Sequence, residues 1–112
     1  MDKVPFVHVF HIRDAIASIE EYMRGVSEED FYQAKMLQDA VVRNLEIIGE
    51  AAKRIPDTVR QVYPAIEWKR ISGMRDVLIH DYLGVDMKRV WNVLKNRIPE
   101  LRNEIEVILK NR

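Results

Sequence analysis

Apolar residues recur along this chain at intervals of three and four, which places them on one face of an α-helix. The first such stripe predicts a helix from about Val4 to Met23, which Gly25 is expected to end. Ser27, with Asp30 three residues later, is typical of a helix N-cap, and the stretch that it begins is predicted to bend near Gln33. No segment alternates as a strand does, so we predict an all-α fold.

The longest stripe predicts a central helix that continues to Ile55. Its apolar positions are spaced 4, 4, 3, 4 and 3 residues apart, at Leu37, Val41, Leu45, Ile48, Ala52 and Ile55. A second apolar strip, with Ala40, Ile47 and Ala51, makes this surface wider than one neighbouring helix would cover. Gly49 lies mid-helix, where glycine costs about 1 kcal/mol relative to alanine, so we expect another helix to approach closely there.

The second half of the chain is predicted to hold two further long helices. Pro56 ends the central helix, and two short turns are expected before Pro64. A helix then begins near Ile66, and the last helix follows with Asp86 as its N-cap. Pro99 interrupts the apolar pattern of that last helix and is expected to kink or restart it.

Length, charge and composition narrow the function classes. A chain of 112 residues can bury one core, and we assign residues 1–112 to a single domain. The absence of cysteine excludes disulfides and thiolate catalysis. Eighteen basic and eighteen acidic residues give zero net charge, so RNA binding would require a local basic patch. No apolar run approaches the roughly 20 residues of a membrane span, and no signal peptide is evident, so we expect a cytoplasmic protein.

Two polar pairs deserve separate interpretations. His8 and His11 are three residues apart and could bind a metal, but no third ligand recurs nearby, so solvent-facing or capping histidines are favoured and no metal site is predicted. Glu46 and Glu50 share a helix face and could serve acid–base chemistry or bind a cation. Basic residues at the spacing of surface ion pairs favour a solvated face instead.

The segment from residue 75 to residue 82 carries the candidate chemistry. On a helical wheel with Ile71 as reference, Arg75 lies at about 40° and Tyr82 at about 20°, within the apolar arc. An arginine there must be paired, extend its charge to the surface, or lie at an interface. Asp76 at about 140° and His80 at about 180° lie on the opposite side, where the carboxylate can fix the tautomer of the imidazole.

Helical geometry restricts how these residues act together. Arg75 and His80 diverge by about 140° around an intact helix, so one chain's pair cannot easily converge on one atom. Either the helix ends near Ile79 and His80 turns back, or two chains meet around a two-fold axis and pool their residues. A purely structural alternative is a buried Arg75–Asp76 pair with a histidine that favours the C-terminal helix dipole.

Residues 75–82 match the pattern R-x-x-x-x-H-x-Y and resemble the HEPN superfamily, more narrowly the HepT toxin branch of the HepT–MNT toxin–antitoxin systems. The resemblance extends from about Ile12 to Leu101. It also rests on residues 39–52, 71–74 and 82–86, on Trp68, and on the pair Val90 and Trp91. It implies an antiparallel bundle of four to five helices that forms a two-fold dimer. It further implies a metal-independent endoribonuclease toxin that needs no cofactor and has its site in a cleft between protomers.

The same resemblance implies roles for the motif residues. His80 would act as acid–base catalyst on the ribose 2′-OH or the leaving 5′-oxygen, and Arg75 would hold the scissile phosphate. The product would be a 2′,3′-cyclic phosphate. Asp76 would orient His80. Tyr82 matches the tyrosine that a partner MNT-type nucleotidyltransferase antitoxin modifies by AMPylation, which would block RNA and compete for Arg75.

The alternative function is a non-catalytic binding module, the paired subunit and modification target of a nucleotidyltransferase. Arg75 and His80 would then serve folding or partner contact. Lys69, Arg70 and the pair at residues 88–89 are candidates for guiding RNA, although exposed basic residues usually only aid solubility. Trp91 is interpreted as a core or interface anchor rather than a base-stacking platform.

Overall fold

The structure of the protein is a computed structural model that describes the backbone of residues 5–80 and 86–112, and the side chains of residues 5–74 and 86–112. These ranges contain helices and turns and no strand, which confirms the predicted all-α bundle. The helices are α1 (Val7–Met23), α2 (Glu28–Gln33), α3 (Lys35–Lys53), α4 (Asp57–Arg60), α5 (Trp68–His80), α6 (Met87–Asn92) and α7 (Ile98–Asn111), with a π-helical segment (Val93–Arg97) joining the last two. No helix in the described ranges is long and apolar enough to cross a membrane.

Helix α3 lies at the centre of the bundle, with α1 and α5 packed against it, and α7 packs on α1. The predicted stripe explains this position, because Val41, Leu45 and Ile48 are fully buried. Gly49 is also buried, as expected for a position facing a neighbour. The helix ends at Lys53, two residues before the predicted end, because a residue that precedes proline disfavours the helical conformation.

The end of α3 is held by a residue that follows in α4. Arg60 donates from Nε to the carbonyl of Ile55 at 3.1 Å and from Nη2 to the carbonyl of Ala52 at 2.7 Å. The last carbonyls of a helix have no partner within the helix, so the guanidinium stabilises this end. The two bonds also fix the path of the chain toward α5.

Local caps form where the sequence predicts them. The hydroxyl of Ser27 accepts a hydrogen bond from the backbone N–H of Asp30 at 3.1 Å, and α2 ends at Gln33, the predicted bend. Asp86 accepts from N–H groups in the first turn of α6. Gly25 adopts a φ of +74°, the left-handed conformation that ends α1 without strain in a residue lacking Cβ.

The interruption predicted at Pro99 is confirmed. Residues 93–97 form a π-helical segment immediately before α7, in which Pro99 lies in the first turn. Proline has no N–H to donate and its ring clashes with the carbonyl four residues earlier, so a regular helix cannot continue through this position. Trp91, just before the segment, packs partly buried against Phe31, with ring centroids 5.8 Å apart, in agreement with an anchoring role.

Candidate active site

Helix α5 carries the three predicted active-site residues of the motif. Its backbone is helical from Trp68 to His80, two residues later at its start than predicted, and it contains Arg75 and Asp76. In a regular helix, residues 75 and 80 are separated by about 7.5 Å along the axis and about 140° around it. The helical backbone extends to His80 and the chain directly beyond it lies outside the described residues, so both alternatives, a His80 that turns back and a site shared by two chains, stay predictions.

Several predictions concern residues that lie outside the described part of the chain. The side chains of Arg75, Asp76 and His80 lie outside the described residues, so the placement of Arg75 in the apolar arc stays a prediction. Tyr82 lies outside the described backbone as well. The structure places the three helical positions by their backbone.

Buried residues in the first half of α5 show which side of this helix faces the core. Trp68 is 6% exposed and Ile71 is fully buried, and Met74 packs against the same core. The opposite side of the helix carries Lys69 and Gly73, both within about 20° of the direction diametrically opposite Ile71. By the same geometry, position 80 lies on this outward side.

Basic residues at the start of α5 differ in their surroundings. Arg70 is exposed and pairs with Glu67, its Nη1 lying 3.5 Å from Oε1. Lys69 is exposed, and no acidic side chain in the described ranges pairs with it. Ser72 donates from its hydroxyl to the Lys69 carbonyl at 3.0 Å. Of the basic residues on this helix with described side chains, Lys69 is therefore the better candidate for contact with an anion.

The two histidines of α1 do not form a metal site in the described structure. His8 and His11 stack edge to face with ring centroids 5.4 Å apart, at a cleft of about 440 Å³ between α1 and α3. Within the part of the chain that is described, no three histidine or carboxylate side chains are arranged to hold a metal ion. His11 is exposed and His8 is half-buried, which agrees with the interpretation of these histidines as surface residues.

The paired glutamates of α3 line the same cleft and are engaged in ion pairs. Glu46 lies 3.7 Å from Nη1 of Arg43, and Glu50 lies 3.5 Å from Nη2 of Arg54. These are the partners expected from the helical spacing, which confirms the interpretation of a solvated, salt-bridged face. Both glutamates are half-buried, and ion pairs so close to the surface contribute little to stability.

Tyr32 has a pKa raised to about 12, first because its hydroxyl donates a hydrogen bond to the Glu28 carboxylate at 2.6 Å, then because of desolvation, and then because that carboxylate repels the phenolate. The hydroxyl therefore keeps its proton at neutral pH. Tyr32 is not a candidate for a general base, and no described observation connects it with α5.

The family model described as "Ribonuclease HepT-like" matches residues 12–108, which include the whole of α5. The chain belongs to this family. The match covers most of the described bundle and confirms the resemblance found from the motif and its flanks.

Curated members of the HepT-like family are similar over nearly the whole chain. A protein of Thermococcus cleftensis named "Probable ribonuclease HepT" is 46% identical over 99 residues, 88% of this chain and 90% of its own length. One from Caldanaerobacter subterraneus named "Putative RNase" is 41% identical over 108 residues, 96% of each chain.

A Methanocaldococcus jannaschii protein named "Gamma-glutamylcyclotransferase and putative RNase" is 46% identical over 104 residues, 93% of this chain. The chain spans only 47% of that longer protein. No solved structure matches the chain at a significant level.

Two features of the structure were not predicted from the sequence. Arg60 is an ordinary basic residue in the sequence, and nothing there indicates that it reaches back to α3. Gly73 carries a signal that could have been used, because a glycine inside a helical stretch is unfavourable unless something requires it.

Proposed function

We propose that this HepT-like chain is a metal-independent endoribonuclease whose active site forms where the α5 helices of two protomers meet. The observation that supports this most directly is the helical backbone through His80. It keeps positions 75 and 80 of one chain on different sides of the helix. A dimer resolves this, since Arg75 of one protomer and His80 of its partner can face one cleft across a two-fold axis.

The proposed chemistry needs one proton-transfer group and one cation. His80 removes the proton from the ribose 2′-OH, whose oxygen then attacks the adjacent phosphorus. The bond to the 5′-oxygen breaks, that oxygen takes the proton that His80 removed, and the other product ends in a 2′,3′-cyclic phosphate. Arg75 binds the non-bridging phosphate oxygens and stabilises the charge that builds on them in the transition state. Asp76 is the positioning residue for His80.

Substrate binding is proposed to be local and weak outside the cleft. The zero net charge of the chain supplies no long-range attraction for a polyanion. Contacts are therefore expected over a few nucleotides near α5, where Lys69 is an exposed cation.

Restraint by an antitoxin is the remaining part of the proposal, and it rests on the match of Tyr82 to the family motif. An MNT-type nucleotidyltransferase partner would transfer AMP from ATP to the Tyr82 hydroxyl, which loses its proton while pyrophosphate leaves. The added phosphodiester brings bulk and negative charge next to the proposed cleft, which would exclude RNA and attract Arg75 away from the scissile phosphate.

Purified, unmodified protein is expected to cleave RNA in the presence of EDTA and to leave 2′,3′-cyclic phosphate ends. Acid–base catalysis by histidine needs no metal, so chelation should leave the rate unchanged. The measurement follows a labelled RNA on a denaturing gel, with the ends identified by mass spectrometry. As control, His80→Gln should be inactive while it remains folded and dimeric.

Two results would contradict the ribonuclease assignment. Cleavage by His80→Gln at the wild-type rate would identify a contaminant or another catalytic group. The absence of cleavage by folded, unmodified, dimeric wild type on several RNAs would favour the alternative, a binding module that serves as subunit and target of a nucleotidyltransferase.

Co-expression with an MNT-type nucleotidyltransferase is expected to increase the intact mass of the chain by whole AMP units. Tyr82→Phe lacks the acceptor oxygen and should show no increase, whereas Tyr63→Phe, a matched change at a half-buried tyrosine, should be modified like wild type. An unmodified wild-type chain, or a Tyr82→Phe chain that gains the same mass, would argue against Tyr82 as the target.

A further inference from the structure

The outward side of α5 has a gap at Gly73. A Cβ built on this residue meets no atom of the described neighbours within 4 Å, although the residue is half-buried. Nothing described within this chain therefore requires a glycine at this position.

The backbone conformation does not require one either. Gly25, with a φ of +74°, shows the usual reason for a glycine at the end of a helix. Gly73 instead lies inside α5 without a positive φ, where alanine would favour the helix. We infer that the missing side chain leaves room for something that approaches α5 from outside the protomer.

Charge and position indicate what approaches. Lys69 lies one turn before Gly73 on the same side, exposed and without an acidic partner in the described ranges. Ser72 bends its hydroxyl back to the Lys69 carbonyl, so a polar side chain next to the gap is engaged with its own helix. By helical position Asp76 lies on the same side, close to His80, so it is the Lys69 end of this stretch, where the exposed cation lies, that favours an anionic chain.

Position 80 connects this gap to the proposed active site. Residues 73 and 80 are seven apart, so their Cα atoms lie within about 20° around the helix and about 10 Å along it. An RNA strand that runs along α5 to His80 would therefore pass over the side of the helix that carries Gly73. A partner α5 packed directly over Gly73 would cover this route, so the proposed meeting of the two α5 helices has to lie beside this side of the helix.

We propose that the sugar–phosphate backbone of the RNA substrate runs along this side of α5, with a phosphate on Lys69 and its closest approach at Gly73. Lys69 and position 80 are about 16 Å apart along the helix axis, room for a few nucleotides. This inference rests on the proposed ribonuclease function and deepens it. It makes Gly73 and Lys69 substrate-positioning residues, outside the R-x-x-x-x-H-x-Y motif.

The test measures binding separately from cleavage. A fluorescent RNA with 2′-O-methyl groups cannot be cleaved, and its anisotropy reports the dissociation constant for the intact dimer. Gly73→Ala is expected to weaken binding about tenfold because the added methyl group pushes the strand away from the helix. Its melting temperature should equal or exceed that of wild type, and its mass by light scattering should be unchanged.

A matched pair of variants tests the phosphate contact. Lys69→Ala is expected to weaken binding and to reduce the slope of log K against log salt by about 1. Arg70→Ala removes the same charge one residue away, but this arginine pairs with Glu67, so it should change binding by less than about twofold. Equal effects of the two variants would overturn the proposed contact.

Each remaining outcome is also decisive. Unchanged binding by Gly73→Ala would overturn the proposed path. Dissociation of the Gly73→Ala dimer would show that the partner protomer packs at this position, and failure of this variant to fold would place a neighbour within the chain there. Either result, dissociation or failure to fold, would overturn the proposed path of the RNA. Wild type that binds the analogue but does not cleave RNA would refute the ribonuclease function alone, while no binding by wild type would refute both.

Discussion

Mixing inactive Arg75→Ala protein with inactive His80→Ala protein is expected to restore about a quarter of the wild-type rate of RNA cleavage. Each variant alone should lose about 10²-fold to 10⁴-fold in rate, since each lacks either the proton-transfer group or the cation that stabilises the transition state. Recovery requires only that the two chains exchange partners.

The expected fraction follows from the symmetry of a composite site. Random exchange makes half of the dimers mixed, and each mixed dimer has one site with both substitutions and one site with neither. One of two sites is then intact in half of the dimers, which gives about a quarter of the total activity. A site built from one chain would leave no intact copy in any mixed dimer.

The measurement compares initial rates before and after the variants are mixed and allowed to re-equilibrate. Two batches of His80→Ala mixed with each other serve as control and should stay inactive. If exchange is demonstrated by native mass spectrometry and no activity returns, Arg75 and His80 of the same chain act together, and the composite site is wrong.

Ile71→Ala is expected to lower the free energy of unfolding by about 2–5 kcal/mol. Ile71 is fully buried, on the helix that packs against α3 and carries the proposed catalytic residues. Removal of its side chain leaves a cavity at a position where the surrounding helices cannot fully relax. For a domain whose net stability is roughly 5–15 kcal/mol, this is a large fraction.

Chemical denaturation followed by circular dichroism would measure the change. Ile71→Val should cost only about 0.5–1.5 kcal/mol, because it keeps most of the buried volume. Val62→Ala removes apolar atoms from a side chain that is 65% exposed and should change stability by less than about 0.5 kcal/mol. An Ile71→Ala protein as stable as wild type would mean that α5 is not anchored through this residue.

Interactions between residues close in sequence could be predicted without the structure. The Ser27 cap, the interruption at Pro99 and the Glu50–Arg54 ion pair follow from spacings of one helical turn or from the chemistry of a single residue. The same local rules place residues 75 and 80 on different sides of one helix. They also led to the composite site, which stays a prediction.

Contacts that depend on how the helices pack could not be predicted from spacings along the sequence. Arg60 reaches carbonyls five and eight residues earlier, and Arg102 donates to Glu20 at 2.7 Å across 82 residues of sequence. The gap beside Gly73 likewise depends on how the helices pack, because no atom of the residues that the structure describes comes within 4 Å of a Cβ built there.

The sequence by itself determined the helices, their buried faces and the motif on α5, because periodicity, capping and proline act within a few residues of the chain. Only the tertiary structure decided that α3 lies between α1 and α5, that the Arg60 guanidinium closes the end of α3, and that Gly73 has no close neighbour among the described residues. These depend on the relative positions of whole helices, which are set by the packing of the entire core.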